Sequence, residues 1–460
     1  MNLKFPSSFI FGVADADLQV VGDDEPKKFE KAESSMWEHF AKTSGKVYKN
    51  QPPGQGINRY SLWKEDLEIM KRLGVKHYRT SVSIARIFKK NGEINKKAIN
   101  WYKEYFKALR NAGITIYVTL YHWELPQYFS EKGGWRNSSV IEFLVKHSEV
   151  VYGYLGEYVE EYFILNEPWI AAIRGYYMGI NAPGETNLKG ALEAGHNMLL
   201  TQGAVYRILS SLDSEVKLST VYNTSGFYAA SADKKDILAA RIADGQMNRW
   251  FMDPLFLGKY PEDMVELYGV NMPKISNADM NLIKVGAKLY SFGLNYYFSN
   301  IVEYDEKSFF KFKPVIKKGS EITGRGWVIF VPSLYLEGFY DILRQTYYSY
   351  KNFGLKRLYV AENGMAMKDS WDGKSEVIAD ERRISFLKEH IRQVHKAIES
   401  GVPVKGYFLW TLMDNYEWQW AYNPEVVFGI IYVDRKSMKR VLKKSALWYQ
   451  QLIKTNTLHL

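Results

Sequence analysis

Phe163-Ile164-Leu165-Asn166-Glu167-Pro168 is a run of β-favouring residues that stops at a glutamate. Leu358-Tyr359-Val360-Ala361-Glu362-Asn363-Gly364 repeats the pattern much later in the chain, with the asparagine now after the glutamate instead of before it. Aromatic and β-branched residues bounded by proline or glycine read as short buried strands. Each of these strands therefore carries a carboxylate at its C-terminal end.

Working outward, similar runs recur at Phe9 to Asp15, His77 to Ser83, Thr115 to Tyr121, Glu161 to Glu167, Val216 to Asn223, Ser291 to Tyr297, Arg357 to Gly364 and Val404 to Asp414. Between most of them lie segments with apolar residues at three- and four-residue spacing: Lys64 to Leu73, Lys97 to Asn111, Ser139 to Leu155 and Leu188 to Leu209. Gly74 and Gly113 stand where two of these helices should stop. Strands that alternate with helices and are buried on both faces form parallel sheet, and eight of them close it. The expected fold class is α/β, a single (β/α)8 TIM barrel spanning 1–460. No linker rich in Gly, Ser or Pro divides it. The long stretches between the fifth and sixth and between the sixth and seventh runs should build the rim on the C-terminal face.

Composition narrows the function. The absence of cysteine removes disulfides, thiolate metal sites and cysteine nucleophiles. Eight histidines without zinc-binding spacing make a metal site unexpected, and no cofactor is called for. A net charge of +10 would allow nucleic-acid binding, but the lysines are scattered and the denser patches, Lys311 to Lys318 and Lys439 to Lys444, read as solvated surface. No run of ~18 apolar residues spans a bilayer. Met1-Asn2-Leu3-Lys4-Phe5-Pro6 lacks the features of a signal peptide, so a cytoplasmic location is expected. Cysteine avoidance with many Lys, Glu and Arg is compatible with a hot habitat. Thirteen Trp and 34 Tyr exceed what a core needs, and such rings stack on sugars while offering a polar tip.

In a barrel, chemistry sits at the C-terminal strand ends. Gln19 follows the first run and Arg79 lies within the second. His122 and Trp123 end the third, and Asn166 with Glu167 end the fourth. Asn295 and Tyr297 close the sixth and Glu362 the seventh. Trp410, Glu417 and Trp418 lie at or just beyond the eighth, with Phe428 on the segment that follows. A core alone would place apolar residues there. Two carboxyls facing across a cleft are what hydrolysis of a sugar acetal requires.

With these motifs in this order, the chain resembles glycoside hydrolase family 1, the β-glucosidase family, nearly end to end. The pieces are Leu165-Asn166-Glu167-Pro168, Glu362-Asn363-Gly364, Thr119-Leu120-Tyr121-His122-Trp123, Asn295-Tyr296-Tyr297 and Trp410-Thr411-Leu412-Met413-Asp414-Asn415-Tyr416-Glu417-Trp418. The resemblance implies a retaining exo-β-glycosidase with Glu167 as acid/base and Glu362 as nucleophile. It also implies that Arg79 and Tyr297 keep Glu362 ionised and that Asn166 bonds the sugar 2-hydroxyl. Gln19, His122, Glu417 and Trp418 would hold the sugar over a floor made by Trp410. The substrate would be a small β-glycoside or oligosaccharide, with glucosyl first and galactosyl or fucosyl as further candidates. Homo-oligomers occur among such relatives.

Departures from the family pattern bear on the sugar and its leaving group. Asp15 and Val21 stand for Thr and Glu, Ile84-Ala85 for Trp-Pro, and Trp63 for Tyr. The stretch from Trp418 to Phe428 is two residues longer than the pattern. Three other readings compete: a phospho-β-glycosidase, opposed by a Glu417 carboxylate that would repel phosphate; a transglycosylating relative; and a sugar-binding protein without catalysis.

Overall fold

The computed structural model describes residues 2–22, 32–316, 321–322, 328–330 and 337–460. Part of the long stretch before the seventh strand, and Lys317 and Lys318 of the basic patch, lie outside the described residues. Eight parallel strands close a barrel: β1 (Ile10–Ala14), β2 (His77–Ser81), β3 (Thr115–Tyr121), β4 (Val159–Asn166), β5 (Leu218–Thr224), β6 (Phe292–Tyr296), β7 (Leu358–Asn363) and β8 (Val404–Trp410). They neighbour one another in chain order, and β8 closes on β1 with Gly406 opposite Ile10 and Trp410 opposite Ala14.

All eight expected strands are present, with ends displaced by a few residues. The largest overshoot is in β8, which stops at Trp410 and leaves 411–414 as loop. In β2 the strand ends at Ser81 because Ser83 caps a short helix, its hydroxyl accepting from the Arg86 N–H. The helices expected between strands are found at Arg59–Arg72, Lys96–Asn111, Ser139–Leu155 and Leu188–Leu212. The second shows how local sequence makes them. Asn95 accepts from the Ala98 N–H, Ile99, Tyr102, Phe106 and Leu109 face the barrel, and the chain leaves through Gly113 at φ 75°.

Two layers of core hold the site in place. The outer layer lies between helices and strands. The inner one fills the barrel itself, where Tyr117, Phe163, Tyr359 and Phe408 from β3, β4, β7 and β8 meet at centroid separations of 5.0 to 6.5 Å. Aromatic pairs at these distances pack edge-on or offset and leave no pore. The termini tie together below, with Asn2–Lys4 antiparallel to Thr457–His459. Among the described residues no helix is long and apolar enough to cross a membrane.

Candidate active site

Glu167 and Glu362 line one pocket at the C-terminal mouth of the barrel, and both are buried. Local geometry explains why their side chains reach it. Glu167 follows the last residue of β4 with φ 52°, a left-handed conformation that a non-glycine residue adopts at a cost of ~1–3 kcal/mol. Its N–H is pinned to the Val221 carbonyl at 2.8 Å, so the turn swings the carboxyl over the barrel mouth. Glu362 sits within β7, opposite Asn295 of β6. The next residues fix its register. Asn363 donates to the Tyr296 carbonyl at 2.6 Å, and a Cβ on Gly364 would lie 1.7 Å from the Trp410 carbonyl oxygen, so the ends of β7 and β8 approach as closely as glycine permits.

The two carboxyls are held differently. Glu362 accepts from Arg79 Nη1 at 2.7 Å and from the Tyr297 hydroxyl at 2.8 Å. Glu167 accepts from Asn295 Nδ2 at 2.8 Å. Asn166 links the two sides, its Oδ1 accepting from Arg79 Nη2 at 2.7 Å and from Asn295 Nδ2 at 3.1 Å. Two donors on that oxygen fix the amide, leaving Asn166 Nδ2 to donate to His122 Nε2 at 3.2 Å. Burial, assisted by the Arg79 charge, pushes the His122 pKa well below the ordinary range, so the ring is neutral. With Nε2 accepting, the proton sits on Nδ1, a buried atom without a partner among the described residues.

Burial is the main reason that the Glu167 carboxyl is pushed up to about 8, and the negative charge of Glu362 is the second. Glu362 is also raised by burial, but Arg79 and Tyr297 oppose that rise. Of the pair, Glu362 therefore gives up its proton first. The Tyr297 hydroxyl, pushed far up by burial and by Glu362, stays protonated and remains a donor.

Around the carboxyls, the expected residues divide into two groups. His122, Trp123, Asn295, Tyr297, Trp410, Glu417, Trp418 and Phe428 line the pocket with Glu167 and Glu362. The His122 ring lies nearly parallel to Trp410 and Trp418, at centroid distances of 5.8 and 5.9 Å. Trp123 and Trp418, like Glu167, have positive φ, at 67° and 51°. Gln19, Arg79 and Asn166 are wholly buried behind the lining. Gln19 Nε2 is occupied by the Tyr416 carbonyl at 2.6 Å, while its Oε1 has no partner among the described residues.

Glu417 alters one expectation. Burial first, then the charges of Glu362 and Asp414, push its pKa well above the ordinary carboxylate range. Repulsion of a phosphate by a full charge at Glu417 is therefore weakened.

Further lining residues escaped the reading of strand ends, among them Trp169, Ile170, Arg174, Asn181, Met247, Gln419 and Trp420. Most lie on the excursions after β4, β5 and β8. A periodicity signal did exist for some: Ile170 and Arg174 are four apart in the helical segment that follows Glu167, and so share a face.

Comparison with known proteins gives one answer. Residues 1–458 match the model of glycosyl hydrolase family 1. The chain is 37% identical over 464 residues to beta-glucosidase A of Thermotoga maritima, covering 100% of both chains. It is 35% identical over 459 residues to beta-glucosidase A of Acetivibrio thermocellus, covering 99% of both. Among solved structures, the Thermotoga maritima family 1 glycoside hydrolase complexed with a cyclophellitol analogue transition state mimic superposes with a TM-score of 0.91, at 35% identity and 99% coverage of each chain.

Proposed function

The chain belongs to glycosyl hydrolase family 1 and is a retaining β-glycosidase, and we propose that Glu362 is its nucleophile and Glu167 its acid/base, acting on terminal β-glucosyl units of small glycosides. The observation that carries the assignment of roles is the unequal support of two buried carboxyls in one pocket. Glu362 is held by a cation and a phenol, and Glu167 by a neutral amide.

In the first step the ionised Glu362 attacks the anomeric carbon while Glu167, protonated below about pH 8, gives its proton to the departing oxygen. The carbon–oxygen bond to the leaving group breaks and an ester to Glu362 forms. That ester is neutral, so the charge that helped to keep Glu167 protonated is gone. Glu167 then takes a proton from the incoming water, which attacks the same carbon and releases Glu362 as carboxylate. Asn166, buried just behind the lining, is the residue we assign to support both steps. Its oxygen is immobilised by Arg79 and Asn295, and its Nδ2 keeps a second hydrogen for a sugar hydroxyl at the face between the carboxyls. The indoles of Trp410 and Trp418 offer flat apolar surfaces for the sugar. A glucosyl preference is supported by the relatives named beta-glucosidase.

Kinetics test the assignment. Glu362→Gly should lose nearly all hydrolysis of an aryl β-glucoside and recover turnover with azide or formate, which enter the space of the missing carboxylate. Undiminished hydrolysis by the plain mutant would exclude Glu362 as nucleophile. Glu167→Ala should fail most on substrates with poor leaving groups, which need the proton most.

A further inference from the structure

The candidate site contains one cation with no acid of its own. Among the described lining residues Arg174 is the only lysine or arginine. Arg174 is half-buried, whereas the wholly buried arginines each rest on carboxylates: Arg59 on Asp15 and Asp66, Arg79 on Glu362, Arg86 on Asp17, and Arg383 on Asp369 and Asp380. The partner of Arg174 is a neutral amide. With the Gln419 amide turned so that its oxygen faces its two donors, that oxygen accepts from Arg174 Nη2 at 2.7 Å and from Trp420 Nε1 at 3.3 Å. Arg174 Nε is buried and has no partner among the described residues. Burial lowers the guanidinium to about 10, and the charge of Glu167 only partly offsets this. A cation that has given up part of its water without gaining an anion is costly, and a pocket wall is where a ligand can supply the missing charge.

Its position indicates which part of a substrate it meets. Arg174 lies seven positions after Glu167, two turns along the segment that leaves the barrel from that residue. Its charge acts on Glu167. The main influences on Glu362 are instead burial, Arg79, Tyr297 and Asn295. Glu167 protonates the leaving oxygen, so a group beyond it on that side faces the leaving group and not the sugar held at Glu362. Asn181 belongs to the same corner: its N–H donates to the Arg174 carbonyl at 3.2 Å and its buried Oδ1 has no partner among the described residues.

We propose that Arg174, positioned by Gln419 and flanked by Asn181, is an anion-binding element of the leaving-group subsite, so that the preferred β-glycosides carry a carboxylate or similar anion on the leaving side. The planar fork of a guanidinium matches a carboxylate, and burial strengthens the bond. The proposal deepens the glycosidase reading and rests on it.

A matched pair of aryl glucosides tests it: 4-(carboxymethyl)phenyl β-D-glucoside and its methyl ester, in which a methylene insulates the phenol from the charge. The readout is the acid-to-ester ratio of kcat/KM, compared between wild type, Arg174→Met and Arg174→Lys. We expect Arg174→Met to lower the ratio about tenfold, the size of one charge-assisted hydrogen bond, mostly through KM of the acid. Arg174→Lys should keep part of the preference, and 0.5 M salt should shrink it in the wild type. A ratio unchanged by Arg174→Met overturns the proposal. So does an equal fall for both substrates, which would mark Arg174 as a support of the fold or of Glu167. Hydrolysis of the ester by the wild type shows that the glycosidase reading stands whatever the ratio does. Hydrolysis of neither substrate would remove that reading and the proposal with it.

Discussion

Replacing Glu362 with glutamine should lower the pKa of Glu167, although the substitution is at another residue. Raising a carboxyl from the ordinary 4.5 to about 8 corresponds to about 5 kcal/mol against ionisation. Burial supplies the largest part and the Glu362 charge the next. Two carboxylates ~5 Å apart, at an effective dielectric constant of ~20, repel by about 3 kcal/mol, or about two pKa units. Glu167 in Glu362→Gln should therefore titrate near ~6. Burial still holds it up, and Asn295, Arg79 and Arg174 still oppose burial. The assay is a pH titration of protein labelled with 13C at the glutamate carboxyl, the Glu167 resonance being identified by its loss in Glu167→Gln. In the wild type the same group should set the alkaline limb of kcat/KM near pH 8. A midpoint that stays near 8 in Glu362→Gln would refute the reasoning, since burial alone would then account for the shift and forming the ester would not free Glu167 to act as a base.

Glu167→Gln should also change stability with pH. The folded pKa lies above the unfolded one, so the wild type loses stability as pH rises from about 4.5 through about 8. The glutamine variant, spared this loss, should gain by several kcal/mol relative to wild type across that window in urea melts at pH 5 and pH 9; an equal difference at both pH values would contradict the coupling. Tyr297→Phe removes the 2.8 Å donor to Glu362, which should move the acid limb of kcat/KM upward by about one to two pH units, and an unmoved limb would deny the phenol its role. Asp15→Ala leaves Arg59 with a single acid and strips the Tyr78 and Thr80 hydroxyls of their acceptor, at a cost of about 3–5 kcal/mol in denaturant unfolding; a loss below ~1 kcal/mol would mean the network contributes little.

Much of this was legible because the signals were local. Each barrel strand is a short β-favouring run that turn residues bound, so the number and order of the strands could be read without a neighbour in view, together with four of the helices between them; others, such as Glu381–Glu399, were not read. The two glutamates were legible for the same reason, since a strand end defines where its last side chain must go. Boundaries were less clear where a side chain outside the strand decides them, as when Ser83 caps a helix and cuts β2 short. The pocket wall around Arg174 was hidden for another reason. Arg174 lies in a helical stretch whose charged residues would ordinarily face water, and only the packing of Gln419 and Trp420, from the loop after β8, turns that face into a pocket. Contacts between distant loops leave no trace in either stretch alone.

The departures from the family pattern fall into this same division between support and chemistry. Asp15 does not reach the sugar pocket. Its carboxylate accepts from Arg59, Tyr78 and Thr80 at 2.6 to 2.8 Å, a buried network that also holds Asp66 and, through it, Arg440. Ile84 and Ala85 are wholly buried in a short helix beneath the rim, and Trp63 packs edge-on to Tyr105. In the longer segment after Trp418, Val427 pairs with Met367, while the buried side chains of Val426 and Phe428 pack in the cluster that holds Trp410 and Trp420. Asp15, Ile84-Ala85 and Trp63 are thus absorbed where the chain supports the site, whereas the longer segment brings Gln419, Trp420 and Phe428 to the pocket wall. A sugar-binding protein that had abandoned catalysis would have no use for one buried carboxyl tied to a cation and another left on an amide, because that asymmetry costs stability and matters only when a proton must move.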